Sequence, residues 1–320
     1  MGAKLGASHA ADAPPIGIVA RGATLAALQQ NGIQLRSATG NLHCAATAVA
    51  DPAKLGVQDL VIISVKSPAM RDVAAQIAPL LGPQTMVLSA MNGVPWWFLQ
   101  GFGGMASGKS LQSVDADGAI ARSIAAPQVL GCVVHASCSS PAPGVAQLHF
   151  GNKLIVGEPA GGTSPRLDAL HARLLSAGFE TVTSPQIQRD IWYKLWGNMT
   201  VNPISAMTGA TTDKILGDDL LRGFVSAVML EAKAIGERIG IPIADSPEDR
   251  HAVTAKLGAF KTSMLQDVEA GKAVELDALV GAVRELGMLT GVATPYTDAL
   301  MGLARVHAQC KGLYPIAVRF

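Results

Sequence analysis

Apolar residues in the first half of the chain fall in short dense runs separated by longer stretches of mixed polarity. PIGIVA at 15–20 is one such run, DLVIISVK at 59–66 is a second rich in Val and Ile, and TMVLSAMNGV at 85–94 is a third that runs into a turn. Between them, ATLAALQQNG at 23–32 reads as a helix closed by Asn-Gly. SPAMRDVAAQIAPLLGP at 67–83 reads as an amphipathic helix begun at Ser-Pro and ended at Gly-Pro. Alternation of this kind predicts a parallel sheet flanked by helices, with ligands at the carboxyl ends of the strands. Lys66 and Asn92 stand at two such ends. From GCVVHASCSS (131–140) through HFGNKLIVGEP (149–159) the pattern becomes strands joined by Pro/Gly turns, and RLDALHARLLSAGFE (166–180) is a helix with a Gly near its end.

After Pro185 the periodicity is helical almost throughout, over 186–209, 218–240, 247–268, 274–289 and 295–311, and no strand pattern of comparable quality returns. The expected architecture is therefore an α/β domain over 1–184, a Rossmann-like doubly wound parallel sheet, followed by an all-α domain over 185–320. The second domain opens on DIWYKLWGNMTVNP (190–203), which carries Lys194, Asn198 and Asn202 at four-residue intervals among apolar and tryptophan residues. Four residues advance a helix by about 400°, so the three side chains drift only about 80° over roughly 12 Å and share one face. A buried polar row needs partners, from protein or from ligand, because an unpaired amide or ammonium out of water costs roughly 2–7 kcal/mol or shifts its pKa.

Composition narrows the function classes. In 320 residues, 49% are hydrophobic and 15% charged, which suits a well-cored soluble protein of two domains. The 25 basic and 24 acidic residues leave a net charge of +1 without long like-charge runs, so nothing favours nucleic acid or an anionic membrane as partner. Four cysteines (Cys44, Cys132, Cys138, Cys310) form no CxxC pair, the histidines are scattered, and no metal site is expected. With no signal peptide and no long apolar span in the sequence, a cytoplasmic, reduced protein is expected.

A second constellation lies in KTSMLQDVEAGKAVELDAL (261–279), where an apolar helix carries Ser263, and Glu275 and Asp277 follow at the head of another. Carboxylates in a first helical turn also suit the helix dipole, and Ser263 is able to bond its own backbone. SMLQD followed by VELD, the WYKLWGNMTVNP helix, the MNGV turn, the IVARGATLAAL segment and the GCVVHA…GNKLIVGEP strands occur in one order along the chain. Together they resemble ketopantoate reductase, the NADPH-dependent family that reduces 2-dehydropantoate to pantoate.

The resemblance implies roles position by position. Lys194 matches the general acid, Asn198 and Asn202 the substrate-side amides, Ser263 the residue that holds substrate, and Glu275 the carboxylate that completes the site. Asn92 matches the side chain between nicotinamide and substrate, Lys66 a basic residue at the mouth of the cofactor cleft, and Arg21 the arginine that meets the 2′-phosphate of NADPH. Each role has its own chemistry. Hydride addition to a ketone leaves an alkoxide, which a partly desolvated lysine is suited to protonate. An Asp or Glu normally ends the second strand and binds the ribose hydroxyls of NAD; Arg21 in that place favours NADPH. The resemblance also implies a small 2-oxo acid as partner and a homodimer through the helical domain.

Two features depart from the family pattern. Counted back from Arg21, Gly2 falls on the third glycine of the G-x-G-x-x-G fingerprint, so a first strand and two glycines are expected upstream of Met1. Either the cellular protein is longer, or cofactor binding is weakened or lost. The second departure is VPWWFLQGFGG after Asn92-Gly93, where Trp96 and Trp97 either pack in the interior or line the substrate cleft. A catalytically silent relative and a 3-hydroxyacid dehydrogenase of the 6-phosphogluconate type, which also uses a helix-borne Lys and Asn, are the alternative readings.

Overall fold

The computed structural model describes residues 1–8 and 13–316. By contacts the chain separates into two compact units, one of Met1–Ser64, Asp72–Ala90 and Ser123–Ile187, the other of Val65–Arg71, Met91–Arg122 and Gln188–Phe320. The first is the α/β unit and the second the helical unit. A single cut in chain order misses two excursions, because the stretches around Lys66 and Asn92 belong by contact to the helical unit.

The α/β unit runs α1 (Gly2–Gly6), β1 (Gly17–Val19), α2 (Gly22–Asn31), a β2–β3 hairpin (Ile33–Ser37, Gly40–Cys44), β4 (Thr47–Val49), β5 (Leu60–Ile63), α3 (Met70–Gln76) and β6 (Met86–Ser89). Next in the chain come α4 (Gln112–Asp115) and α5 (Ala119–Ser123), which up to Arg122 belong by contact to the helical unit; the α/β unit resumes with β7 (Val129–Ala142), β8 (Val145–Gly157), α6 (Pro165–Ser176) and β9 (Glu180–Thr183). The larger sheet has the order β3-β2-β8-β7-β6-β5, with β9 also on β8; β1 and β4 pair in parallel as a ladder of their own. Parallel pairing joins β5 to β6, β6 to β7, β8 to β9 and β2 to β8, while the β2–β3 and β7–β8 pairs are antiparallel. Leu88, Leu130, Leu154 and Val156 from the strands pack with Leu167, Leu170 and Leu174 of α6 to form the core of this unit.

Proline and glycine account for most of the differences from the pattern reading. The expected helix over 67–83 is a short α3 between two 3₁₀ turns, Ser67–Ala69 and Ala78–Leu80, each with a proline near its start. Pro79 withholds the amide that would have continued the α-helical ladder.

The helical unit contains α7 (Ile187–Thr208, from Gln188 onward), α8 (Thr212–Gly217), α9 (Asp219–Arg238), α10 (Pro247–Ala255), α11 (Ser263–Glu269), a π-turn (Asp277–Gly281), α12 (Ala282–Thr290) and α13 (Pro295–Cys310). The expected continuous helix over 247–268 is two helices. Gly258 adopts φ +61° after α10, and Thr262 restarts the chain as N-cap of α11 by accepting from Leu265 N at 3.2 Å. No strand follows β9 among the described residues, and none of their helices is long and apolar enough to cross a membrane.

Candidate active site in the helical unit

Helix α7 is where the polar row was expected, and it is enclosed. Trp192, Leu195, Trp196 and Met199 are each at most 2% exposed, with the Trp196 indole donating to the Met229 carbonyl of α9 at 2.7 Å. On the remaining face, Lys194 Nζ donates to Asn92 Oδ1 at 2.8 Å. Asn92 therefore orients the ammonium without neutralising it. Asn202 is only 6% exposed, yet its amide hydrogen-bonds to none of the described residues; half-buried Asn198 is likewise without such a bond. An amide that no described residue engages and that keeps its polar atoms open to solvent is a donor–acceptor group suited to complete a site with a polar ligand.

Glu275 supplies the carboxylate. It is 6% exposed, and its Oε1 accepts from the Ser67 backbone amide at 3.0 Å. Burial pushes its pKa up from the ordinary glutamate range, opposed by the Ser67 hydrogen bond and by the positive charges of Lys66 and Lys194, and reinforced by the negative charge of Asp267. Lys66 itself forms an ion pair with Asp267 on α11. Thus Lys194, Asn92, Glu275 and Lys66 meet within one electrostatic cluster.

Ser263 is exposed at the start of α11, one turn ahead of buried Asp267 and on the same helical face. Asp267, the last residue of SMLQD, is not among the site residues that the resemblance implies. The signal was present: an Asp four residues after Ser263 must share its face, and a buried carboxylate requires a cation. What the sequence did not show was that Lys66, 201 positions earlier, would be that cation.

Gly2 and Arg21 belong to the α/β unit. Gly2 opens α1, where a Cβ would stand 3.2 Å from Ile33 Cδ1, so its present environment is one of packing. Arg21 is the N-cap of the ten-residue helix α2; it is exposed, and its guanidinium has no partner among the described residues. Gly22 follows with φ +53° and open space around it. An exposed guanidinium at the N-terminus of a helix, where the first-turn amides lack intrahelical partners, is a suitable donor set for a phosphate. Trp96 and Trp97, left open between interior and cleft, are 6% and 1% exposed, in the interior of the helical unit. Among the described residues no cluster of His, Cys, Asp and Glu is suited to hold a metal.

The model for "Ketopantoate reductase PanE/ApbA" matches residues 1–161, and that for its C-terminal domain matches 186–308. The chain belongs to the ketopantoate reductase family. The curated 2-dehydropantoate 2-reductase of Mesorhizobium japonicum is 41% identical over 299 residues, covering 93% of this chain and 92% of that protein. A solved Ralstonia solanacearum MolK2 structure named for ketopantoate reductase has 52% identity and a TM-score of 0.92, covering 98% of this chain and 95% of its own. A ternary structure of D-mandelate dehydrogenase with NADH and anilino(oxo)acetate superposes with a TM-score of 0.80 over 98% of this chain and 95% of its own. At 18% identity, that likeness speaks for the fold alone. The family's sheet-plus-helices architecture is the one described above, and as a family member the chain is an NAD(P)-dependent oxidoreductase.

Proposed function

We propose that this ketopantoate reductase family member uses NADPH to reduce 2-dehydropantoate, a branched 2-oxo acid, to pantoate, a step of pantothenate biosynthesis in the cytoplasm. The observation that carries the reading is the hydrogen bond from Lys194 to Asn92 beside buried Glu275, on a helix whose next two turns carry Asn198 and Asn202, neither engaged by a described residue. The bound dinucleotide supplies the hydride. As the carbonyl carbon accepts it, charge develops on oxygen, and Lys194 transfers a proton there. Asn198, Asn202 and Ser263 hold the carbonyl and carboxylate without adding a competing charge. Glu275 accepts from a substrate hydroxyl and sets the field on Lys194. Arg21 would hold the 2′-phosphate of the bound dinucleotide, and Lys66 would offer a second positive charge to it.

A homodimer through the helical unit is part of the same proposal, supported by the exposed apolar positions Tyr296, Leu303 and Val306 on one stripe of α13. Sedimentation at micromolar concentration reads that state.

The deciding experiment is NADPH oxidation with 2-dehydropantoate and a panel of 2-oxo and 3-oxo acids. 2-Dehydropantoate should give the highest kcat/KM, and Lys194→Ala should lower kcat by about 10²–10⁴ while the protein stays folded. Faster turnover of a 3-oxo acid, or full turnover by folded Lys194→Ala, would overturn the reading.

A further inference from the structure

Asn92 reaches Lys194 from a turn that is itself held in place. Gly93 adopts φ +81°, in the left-handed region that favours glycine. A Cβ at Gly93 would stand 2.7 Å from both the Cβ and the carbonyl oxygen of Ala278, and 2.9 Å from the carbonyl carbon. No side-chain rotation relieves a clash with backbone. The next residue closes the contact, since Val94 N donates to the Ala278 carbonyl at 2.8 Å.

Ala278 is 1% exposed and lies in the π-turn Asp277–Gly281, three residues after Glu275. A π-turn departs from the α-helical hydrogen-bond pattern, is rare, and concentrates at functional sites. Here the four residues from Glu275 to Ala278 carry both the buried carboxylate and the acceptor that fixes the Asn92 turn. We infer that Gly93 and the Ala278 carbonyl form a positioning contact that sets Asn92 against Lys194 for proton delivery. This rests on the function proposed above. Both act through Asn92.

The contact is tested with Gly93→Ala, Asn92→Ala, the double variant, and an amide-to-ester replacement at Val94 that removes the donated hydrogen alone. The first readout needs no substrate: titration of Lys194 in the free protein, followed by NMR of ¹³C-methylated lysines and assigned with Lys194→Arg. Loss of the Asn92 acceptor disfavours the ammonium, so Asn92→Ala should lower that titration by about one unit. Gly93→Ala and the Val94 ester should lower it in the same direction, with Glu275, Lys66 and Asp267 unaltered in sequence throughout.

The second readout is kinetic. Misplacing a reacting group by about 1 Å costs up to roughly 10²-fold, so Gly93→Ala should lower kcat by about 10–100-fold with KM changed by only a few-fold. The double variant should be no slower than Asn92→Ala alone. If Gly93→Ala does not fold, the Val94 ester carries both readouts. An unchanged Lys194 titration in either folded variant, or losses that multiply in the double variant, would overturn the inference. A parent protein inactive on every 2-oxo acid would instead sink the proposed function, and the titration would still decide this contact.

Discussion

An amide that no described residue engages, as at Asn202, adds nothing to stability through hydrogen bonding within the protein. If the amide is there for substrate, removing it should separate stability from binding. Asn202→Leu should leave the denaturation midpoint unchanged or raise it, while KM for the 2-oxo acid rises at least about tenfold; a destabilised variant with normal KM would show the amide to be structural. Glu275 offers a test in pH. Burial raises its pKa, so between the ordinary glutamate range and the raised value the native state holds a proton that the unfolded chain has lost. Stability then falls as pH rises through that window. Glu275→Gln does not ionise and should match the parent near about pH 4, yet exceed it at neutral pH in denaturant titrations; a difference that grows toward acid would contradict the assignment. Both residues stand out in the sequence as candidates, because polar side chains at four-residue spacing in an apolar helix and acidic residues after SMLQD are chemically conspicuous. The partner of Asp267 was not legible there, since it is a lysine distant in sequence.

At the scale of elements, the sequence was most informative where a single period runs long. Helix α7 was expected over 186–209 and spans Ile187–Thr208, because 22 residues of sustained apolar pattern leave few alternatives. The β2–β3 hairpin was missed, since its residues alternate weakly and its register is set by the pairing of Ile33 to Cys44 through Ser37 to Gly40. The break within 247–268 was missed because the apolar period continues across Gly258 while the backbone does not. That break matters for the site: it lets α11 start afresh at Thr262, which places Ser263 in the first turn and Asp267 one turn later. Loss of an N-cap side chain is destabilising by about 0.5–2 kcal/mol. Thr262→Ala should therefore lower stability by about 1 kcal/mol in equilibrium denaturation and raise KM, whereas Thr262→Ser should restore both. A raised KM that Thr262→Ser leaves uncorrected would separate the substrate defect from the cap.

For the molecule as a whole, order along the chain and membership of a compact unit are different things. The sequence showed an α/β half followed by a helical half, but Lys66 and Asn92 leave the first half to join the helical unit. Those excursions bring Lys194, Asn92, the buried carboxylate of Glu275 and Lys66 together in one body. Arg21 belongs to the other body, at the N-terminus of α2. Under the proposed function, a residue of the α/β unit that meets only the 2′-phosphate should alter the choice of cofactor and leave the chemical step alone. Charge-assisted contacts contribute about 1.5–3 kcal/mol, so Arg21→Ala should narrow the preference for NADPH over NADH by roughly one to two decades. The change should appear in the KM for NADPH, while kcat at saturating cofactor and the KM for the 2-oxo acid stay near parent values. Equal use of NADH and NADPH by the parent protein would remove the phosphate role from Arg21. A fall in kcat at saturating NADPH would instead show that this arginine influences the reacting centre, contrary to the separation of roles between the two units.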